Sequence, residues 1–226
     1  MSQLLISVTS VEEARIALEN GADFIDLKDP SQGALGALAK EKIQEITAFV
    51  HTQKQYGKRL VSATIGNLPM QAEPILESVL AVADVNVDII KIGFFEASDY
   101  QACLDALKPH ANNGLKLIAV LFAEFKYPTH LMSDIKHAGF YGVMIDTAYK
   151  NGSTFLDHLS DEDIETFISQ TQGLVFGLAG SLNIQHVVPV KRFNPTYIGF
   201  RGGVSKDNQR KLSLDATKIK AISKLV

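Results

Sequence analysis

Residues 60–94 read LVSATIGNLPMQAEPILESVLAVADVNVDIIKIGF, and this stretch decides the fold. Two short apolar runs, 60–66 and 88–94, are rich in Val, Ile and Leu and bounded by Gly, Asn or Asp, as buried parallel strands are. Residues 72–86 between them carry a helical pattern. Strand, helix and strand in such close succession form a βαβ unit.

The same alternation extends in both directions. Further strands are expected at 4–8, 24–28, 116–122, 142–148, 174–180 and 197–203. Helical patterns lie at 10–20, 40–56, 98–111, 127–138, 161–172, 184–192 and 215–225. Ser10-Val-Glu-Glu13 reads as a capping box opening the first helix. Asn20-Gly21 and His137-Ala-Gly139 read as left-handed stops before strands. Eight strands, each followed by a helix over short connections, predict an α/β protein, a single (β/α)8 TIM barrel spanning residues 1–226. An open doubly wound sheet would want a glycine-rich fingerprint after its first strand, and here that strand runs into Thr9-Ser10.

A net charge of −3 over 226 residues gives no electrostatic reason to expect nucleic acid or an anionic membrane as partner. Lys54, Lys58 and Arg59 read as a solvated helix end. No apolar run approaches the ~20 residues that span a bilayer, and the N-terminus lacks the basic region of a signal peptide. The lone Cys103 excludes an intrachain disulfide. The expectation is a cytoplasmic protein whose apolar helix faces favour a homo-oligomer.

In a barrel, catalytic groups come from the C-terminal ends of the strands, where inward and outward positions alternate. Charged residues within apolar strands are therefore informative. Asp26 and Lys28 share a face at the end of strand two, Lys91 lies inside Ile89-Ile90-Lys91-Ile92-Gly93, and Asp146 closes strand six with Lys150 four residues on. Ser62 and Thr64 share a face of strand three. A lysine inside an apolar strand is costly unless paired or functional, and here three lysines and two aspartates converge on one mouth. Desolvation and neighbouring cations disfavour an ammonium, freeing the amine to form a Schiff base, while a second lysine can move protons. Lys91, recessed among Ile89, Ile90 and Ile92, suits the proton-moving role. The six histidines show no ligand spacing, so neither metal nor cofactor is expected.

Gly177-Leu-Ala-Gly-Ser181 and Arg201-Gly-Gly203 follow strands seven and eight, where barrels often hold a phosphate on bare backbone N–H groups. Gly180, Ser181, Arg201, Gly202 and Gly203, together with Ser62 and Thr64, are the expected substrate and phosphate ligands. Two irregular segments remain. Residues 29–39, DPSQGALGALA, predict a structured loop over the site, and 204–214, VSKDNQRKLSL, a polar, mobile one.

The runs Asp26-Leu-Lys-Asp-Pro30, Leu35-Gly-Ala37, Val61-Ser-Ala-Thr-Ile-Gly66, Ile90-Lys-Ile-Gly93, Asp146-Thr-Ala148 with Lys150, Leu178-Ala-Gly-Ser181 and Arg201-Gly202 resemble, in order over nearly the whole chain, the (5-formylfuran-3-yl)methyl phosphate synthase family of methanofuran biosynthesis. The resemblance implies a lyase that condenses two molecules of glyceraldehyde 3-phosphate, without cofactor or metal. It implies the Schiff-base lysine at Lys28, the proton-transferring lysine at Lys91, and supporting roles for Asp26, Asp146 and Lys150. Glu124 and Lys126, after strand five, stand outside these motifs. Two other readings fit similar residues: another Schiff-base phosphosugar aldolase, and a non-catalytic phosphosugar-binding regulator.

Overall fold

The computed structural model describes residues 2–226. Eight parallel strands pair in chain order, β1 Gln3–Val8, β2 Phe24–Leu27, β3 Leu60–Thr64, β4 Ile89–Phe94, β5 Leu117–Phe122, β6 Gly142–Asp146, β7 Val175–Leu178 and β8 Tyr197–Phe200, and β8 returns to pair with β1. This is the expected TIM barrel, and the ring closes instead of opening into a doubly wound sheet. Eight helices alternate with the strands: α1 Val11–Glu19, α2 Lys40–Thr52, α3 Ala72–Ala83, α4 Gln101–Asn112, α5 Leu131–His137, α6 Asp161–Gln170, α7 Val187–Lys191 and α8 Ala216–Ser223.

Alternation along each strand divides the core. Outward residues such as Ile6, Ile25, Val61, Ile92 and Val143 pack under the helices. Inward residues Phe24, Ile89, Ile118, Val120, Met144 and Tyr197 fill the barrel. The Tyr197 ring takes the place a Cβ of Gly177 would occupy on the neighbouring strand.

Several element ends differ from expectation. The helix expected from residue 127 begins at Leu131, because Pro128 turns the residue before it away from helical geometry. Tyr127 serves elsewhere, its hydroxyl accepting from Phe122 N and donating to Phe94 O, both at 2.8 Å. The long second helix splits at Gln53 into α2 and a 3-10 turn. The Ser10 capping box is half made. Ser10 Oγ accepts from Glu13 N, whereas the Glu13 carboxylate accepts from Thr9 and Arg201. Gly21 and Gly139 do take positive φ, as expected of stops.

The 29–39 segment folds over the mouth. Ala34 and Leu35 are buried in the inward cluster, and Asn67 holds them through Leu35 N (3.0 Å) and Gln32 O. Gly93 makes this possible, since a Cβ there would lie 2.7 Å from Leu35 Cδ1.

Candidate active site

Register brings Ser7, Asp26 and Ser62 side by side on β1, β2 and β3. Asp26 Oδ2 accepts from Ser7 Oγ at 2.8 Å, and Oδ1 accepts from Ser62 Oγ at 2.7 Å. Lys91 reaches Asp26 Oδ1 from β4 at 2.6 Å, and both charges are almost wholly buried. Across the mouth, Asp146 Oδ1 accepts from Lys150 Nζ and from Thr147 N, each at 2.7 Å. Lys28, just beyond β2, points its Nζ at Asp146 Oδ2 from 3.8 Å. Two Lys–Asp pairs thus face one another, with Lys28 between them.

Electrostatics follow from this packing. Burial alone would raise the Asp26 carboxyl, but Lys91 and then Lys28 outweigh it and hold it below the usual carboxylate range. Burial would likewise raise Asp146; Lys150 and then Lys28 hold it well below that range. For Lys91, burial is the largest influence and pushes the ammonium down against the pull of Asp26. Lys150 is pushed down by burial too, with Asp146 opposing.

These groups line a cavity of ≈ 880 Å³ at the C-terminal mouth, together with Gly180, Ser181, Gly202 and Gly203. Gly180 has φ +110°, and a Cβ there would press on Thr147 N at 3.0 Å, so glycine lets the β7 loop lie against the Asp146 turn. Among the described residues, the N–H groups of Gly180 and Ser181 donate to no protein acceptor.

Ser62 and Thr64 are corrected: neither reaches the cavity. Both are fully buried; Ser62 donates to Asp26, and Thr64 Oγ1 donates to Gly36 O at 3.1 Å. Arg201 touches the cavity wall, yet its guanidinium serves the protein. Nε donates to Arg210 O (2.8 Å), Nη1 to Ser7 O (3.1 Å) and Glu13 Oε2 (2.6 Å), and Nη2 to Glu13 Oε1 (3.1 Å) and Leu212 O (3.0 Å). A guanidinium has five N–H donors, so none remains for a phosphate.

The 204–214 segment is also corrected. It is built into turns, with a bridge between Ser205 and Leu214 and bonds from Lys206 N to Ser213 O (3.0 Å) and Asp215 N to Val204 O (2.8 Å). It brings Arg210 and Lys211 to the cavity, two residues sequence reasoning missed inside a run that reads as a solvated loop. Ser7 was missed as well; a single serine in the first apolar strand carries no signal without its register partner. Glu124 holds the β6 loop, accepting from Ala148 N (2.9 Å) and Tyr149 N (3.0 Å), while Lys126 is exposed. Among the described residues, no group of three His, Cys, Asp or Glu is placed to hold a metal ion, and no helix is long and apolar enough to cross a membrane.

A closed ring of eight parallel strands with lysines and carboxylates gathered at their C-terminal ends defines a (β/α)8-barrel enzyme. The chain belongs to the 4-HFC-P synthase family, whose family model matches residues 4–223. A relative from Methylorubrum extorquens is 36% identical over 96% of this chain and 88% of its own length. The (5-formylfuran-3-yl)methyl phosphate synthase of Archaeoglobus fulgidus is 32% identical over 92% of each chain. Among solved structures, the phosphoribosylanthranilate isomerase of Thermotoga maritima superposes with a TM-score of 0.67 over 100% of this chain and 98% of its own, at 15% identity. The 3-hexulose-6-phosphate synthase of Salmonella typhimurium gives 0.62 over 99% and 97%, at 14% identity. At such identities the two structures speak to the fold alone.

Proposed function

We propose that the chain is a carbon–oxygen lyase that condenses two molecules of glyceraldehyde 3-phosphate into (5-formylfuran-3-yl)methyl phosphate, releasing inorganic phosphate and water. The observation that carries this reading is the cavity's charge. With Arg201 neutralised by Glu13, its lining holds five cations, Lys28, Lys91, Lys150, Arg210 and Lys211, against the two carboxylates Asp26 and Asp146. A site with that excess suits a doubly phosphorylated load, and three of its amines, Lys28, Lys91 and Lys150, are paired with its two carboxylates.

Lys28 adds to the carbonyl of one triose and loses water to give an imine. A base takes a proton from the adjacent carbon, and the resulting enamine attacks the second aldehyde. Loss of phosphate and water builds the conjugated ring, and hydrolysis returns Lys28. Lys91 suits the proton transfers because burial weakens its hold on its proton while Asp26, at 2.6 Å, is at hand to steady the ammonium. Lys150 and Asp146 stand on the opposite wall, placed to serve the eliminations. The unengaged N–H groups of Gly180 and Ser181, with Gly202 and Gly203 beside them, suit the retained phosphate.

The test is product identification. Pure protein with glyceraldehyde 3-phosphate should yield an ultraviolet-absorbing furan aldehyde and one free phosphate per furan. A linear, non-absorbing aldol would point to another Schiff-base aldolase. Unconsumed triose, with no adduct after borohydride, would leave only a phosphosugar-binding protein.

A further inference from the structure

Residues 202–214 lie along the β8 side of the mouth, and Arg201 holds them there. Two of its acceptors, Arg210 O and Leu212 O, belong to this strap. Both Glu13 oxygens belong to α1, and Ser7 O to β1. The Glu13–Arg201 fork is buried, and Glu13 is held in turn by Thr9 N at 2.9 Å and Thr9 Oγ1 at 3.0 Å. A bidentate, charge-assisted pair of this kind fixes geometry as well as charge.

What the strap presents is Arg210. Its side chain lines the same cavity as Lys28, Lys91, Asp146 and Lys150. Among the described residues it makes one hydrogen bond, Nη2 to Gly33 O at 2.9 Å, on the 29–39 segment across the opening. Arg210 therefore spans the two loops that border the cavity and keeps most of its donors unengaged. Arg201 and Arg210 divide two tasks: one guanidinium is saturated by protein, the other is offered to the site.

We propose that Arg210 is a contact for a substrate phosphate, and that Glu13 and Arg201 are positioning residues acting through it by holding the 202–214 strap in place. The inference rests on reading the site as one for phosphorylated aldehydes, and extends it by adding a charged side chain to the bare N–H groups of the glycine loops.

The experiment is a calorimetric titration with inorganic phosphate, paired with steady-state kinetics on glyceraldehyde 3-phosphate. Arg210→Gln should weaken phosphate binding about tenfold, the scale of one lost charge-assisted contact, and Arg210→Lys should recover part of it. Glu13→Gln should weaken phosphate too, raising KM by a larger factor than it lowers kcat. The double variant Glu13→Gln/Arg210→Gln should bind no more weakly than Arg210→Gln alone, as expected when one residue acts through the other. Unchanged phosphate affinity in Arg210→Gln would overturn the contact, and additive losses in the double variant would overturn the positioning role. If Glu13→Gln does not fold, Arg201→Lys takes its place, keeping a charge beside Glu13 without the fork that reaches both strap carbonyls. Phosphate binding is read without aldehyde chemistry. A protein that makes no furan yet loses phosphate affinity with Arg210→Gln would sink the proposed reaction and leave this inference standing.

Discussion

At the C-terminal ends of β3, β4 and β5 the barrel mouth is closed by apolar side chains, whereas at β6, β7, β8, β1 and β2 it is open and charged. On the closed side Leu35 fills the space left by Gly93. Phe95 meets Phe122 at a tilt, ring centroids 4.8 Å apart, and Phe125 meets Phe122 edge-on at 5.5 Å. On the open side stand Lys28, Asp146, Lys150 and the glycine loops. Neither β3 nor β5 contributes to the cavity lining, and β4 contributes Lys91. The difference shows how one barrel obtains two dielectric conditions. The packed half excludes water along the strand that carries Lys91, and the open half sets Lys28 against a wide, charged cavity.

The strongest way to break this division is to exchange the two lysines' roles. Lys28→Arg keeps the charge but forms no imine, so furan formation should fall by roughly four orders of magnitude or more, and borohydride with substrate should add no mass. Lys91→Arg should lower furan formation by about 10²- to 10⁴-fold, because arginine does not readily release its proton, yet a trapped adduct on Lys28 should survive. Peptide mass spectrometry checks both. An adduct on Lys91 and never on Lys28 would assign the imine to the wrong half of the mouth.

A milder change opens the closed half. Leu35→Ala should cost about 2–5 kcal/mol in urea unfolding and let water reach the β4 side. If the apolar lid matters only to stability, kcat at saturating substrate will match the wild type; if it also keeps Lys91 dry, kcat will fall.

Acid titration sharpens the charged half. Asp26 and Asp146 are held below the usual carboxylate range, so as pH falls the unfolded chain takes up protons at these positions before the folded one. Their contribution is complete above about pH 4 and is lost progressively below it. Asp146→Asn should flatten this limb of the stability curve between about pH 2 and pH 4, measured by urea midpoints. A limb as steep as the wild type's would assign acid sensitivity elsewhere. The smallest effect is expected from Glu124→Gln, which weakens the hold on Ala148 N and Tyr149 N. Losing charge from these hydrogen bonds should lower kcat by about tenfold or less, with the Lys28 adduct still trapped.

Much of this was legible in the sequence because each strand is an apolar run with turn residues at both ends, and charges inside such runs stand out. Asp26, Lys28, Lys91, Asp146 and Lys150 were found that way, and the structure brings them around one cavity. What was not legible is the choice of partner. Ser62 and Thr64 sit on the expected face, yet their hydroxyls go to Asp26 Oδ1 and Gly36 O, acceptors fixed by register and by a loop's path. Arg201 lies where a phosphate ligand was expected, but a carboxylate far away in sequence claims it. Arg210 hid in a polar segment that Arg201 and the Ser205–Leu214 bridge hold in order. Local pattern reports periodicity and cost; it does not report which donor meets which acceptor across the ring.

The Glu13–Arg201 contact joins residues 188 positions apart, which bears on the order in which the protein is made. Glu13, Lys28, Lys91 and Lys150 all leave the ribosome before Arg201 does. Until β8 emerges, β1 and β7 both present unpaired edges, the exposure that invites association between unfinished chains. The Lys28 amine is thus synthesised early, while the strap that borders its cavity can be fastened only after the last strand. A nascent chain ending short of residue 201 carries Lys28, Lys91 and Lys150 without the Glu13–Arg201 pair that fastens the strap beside them.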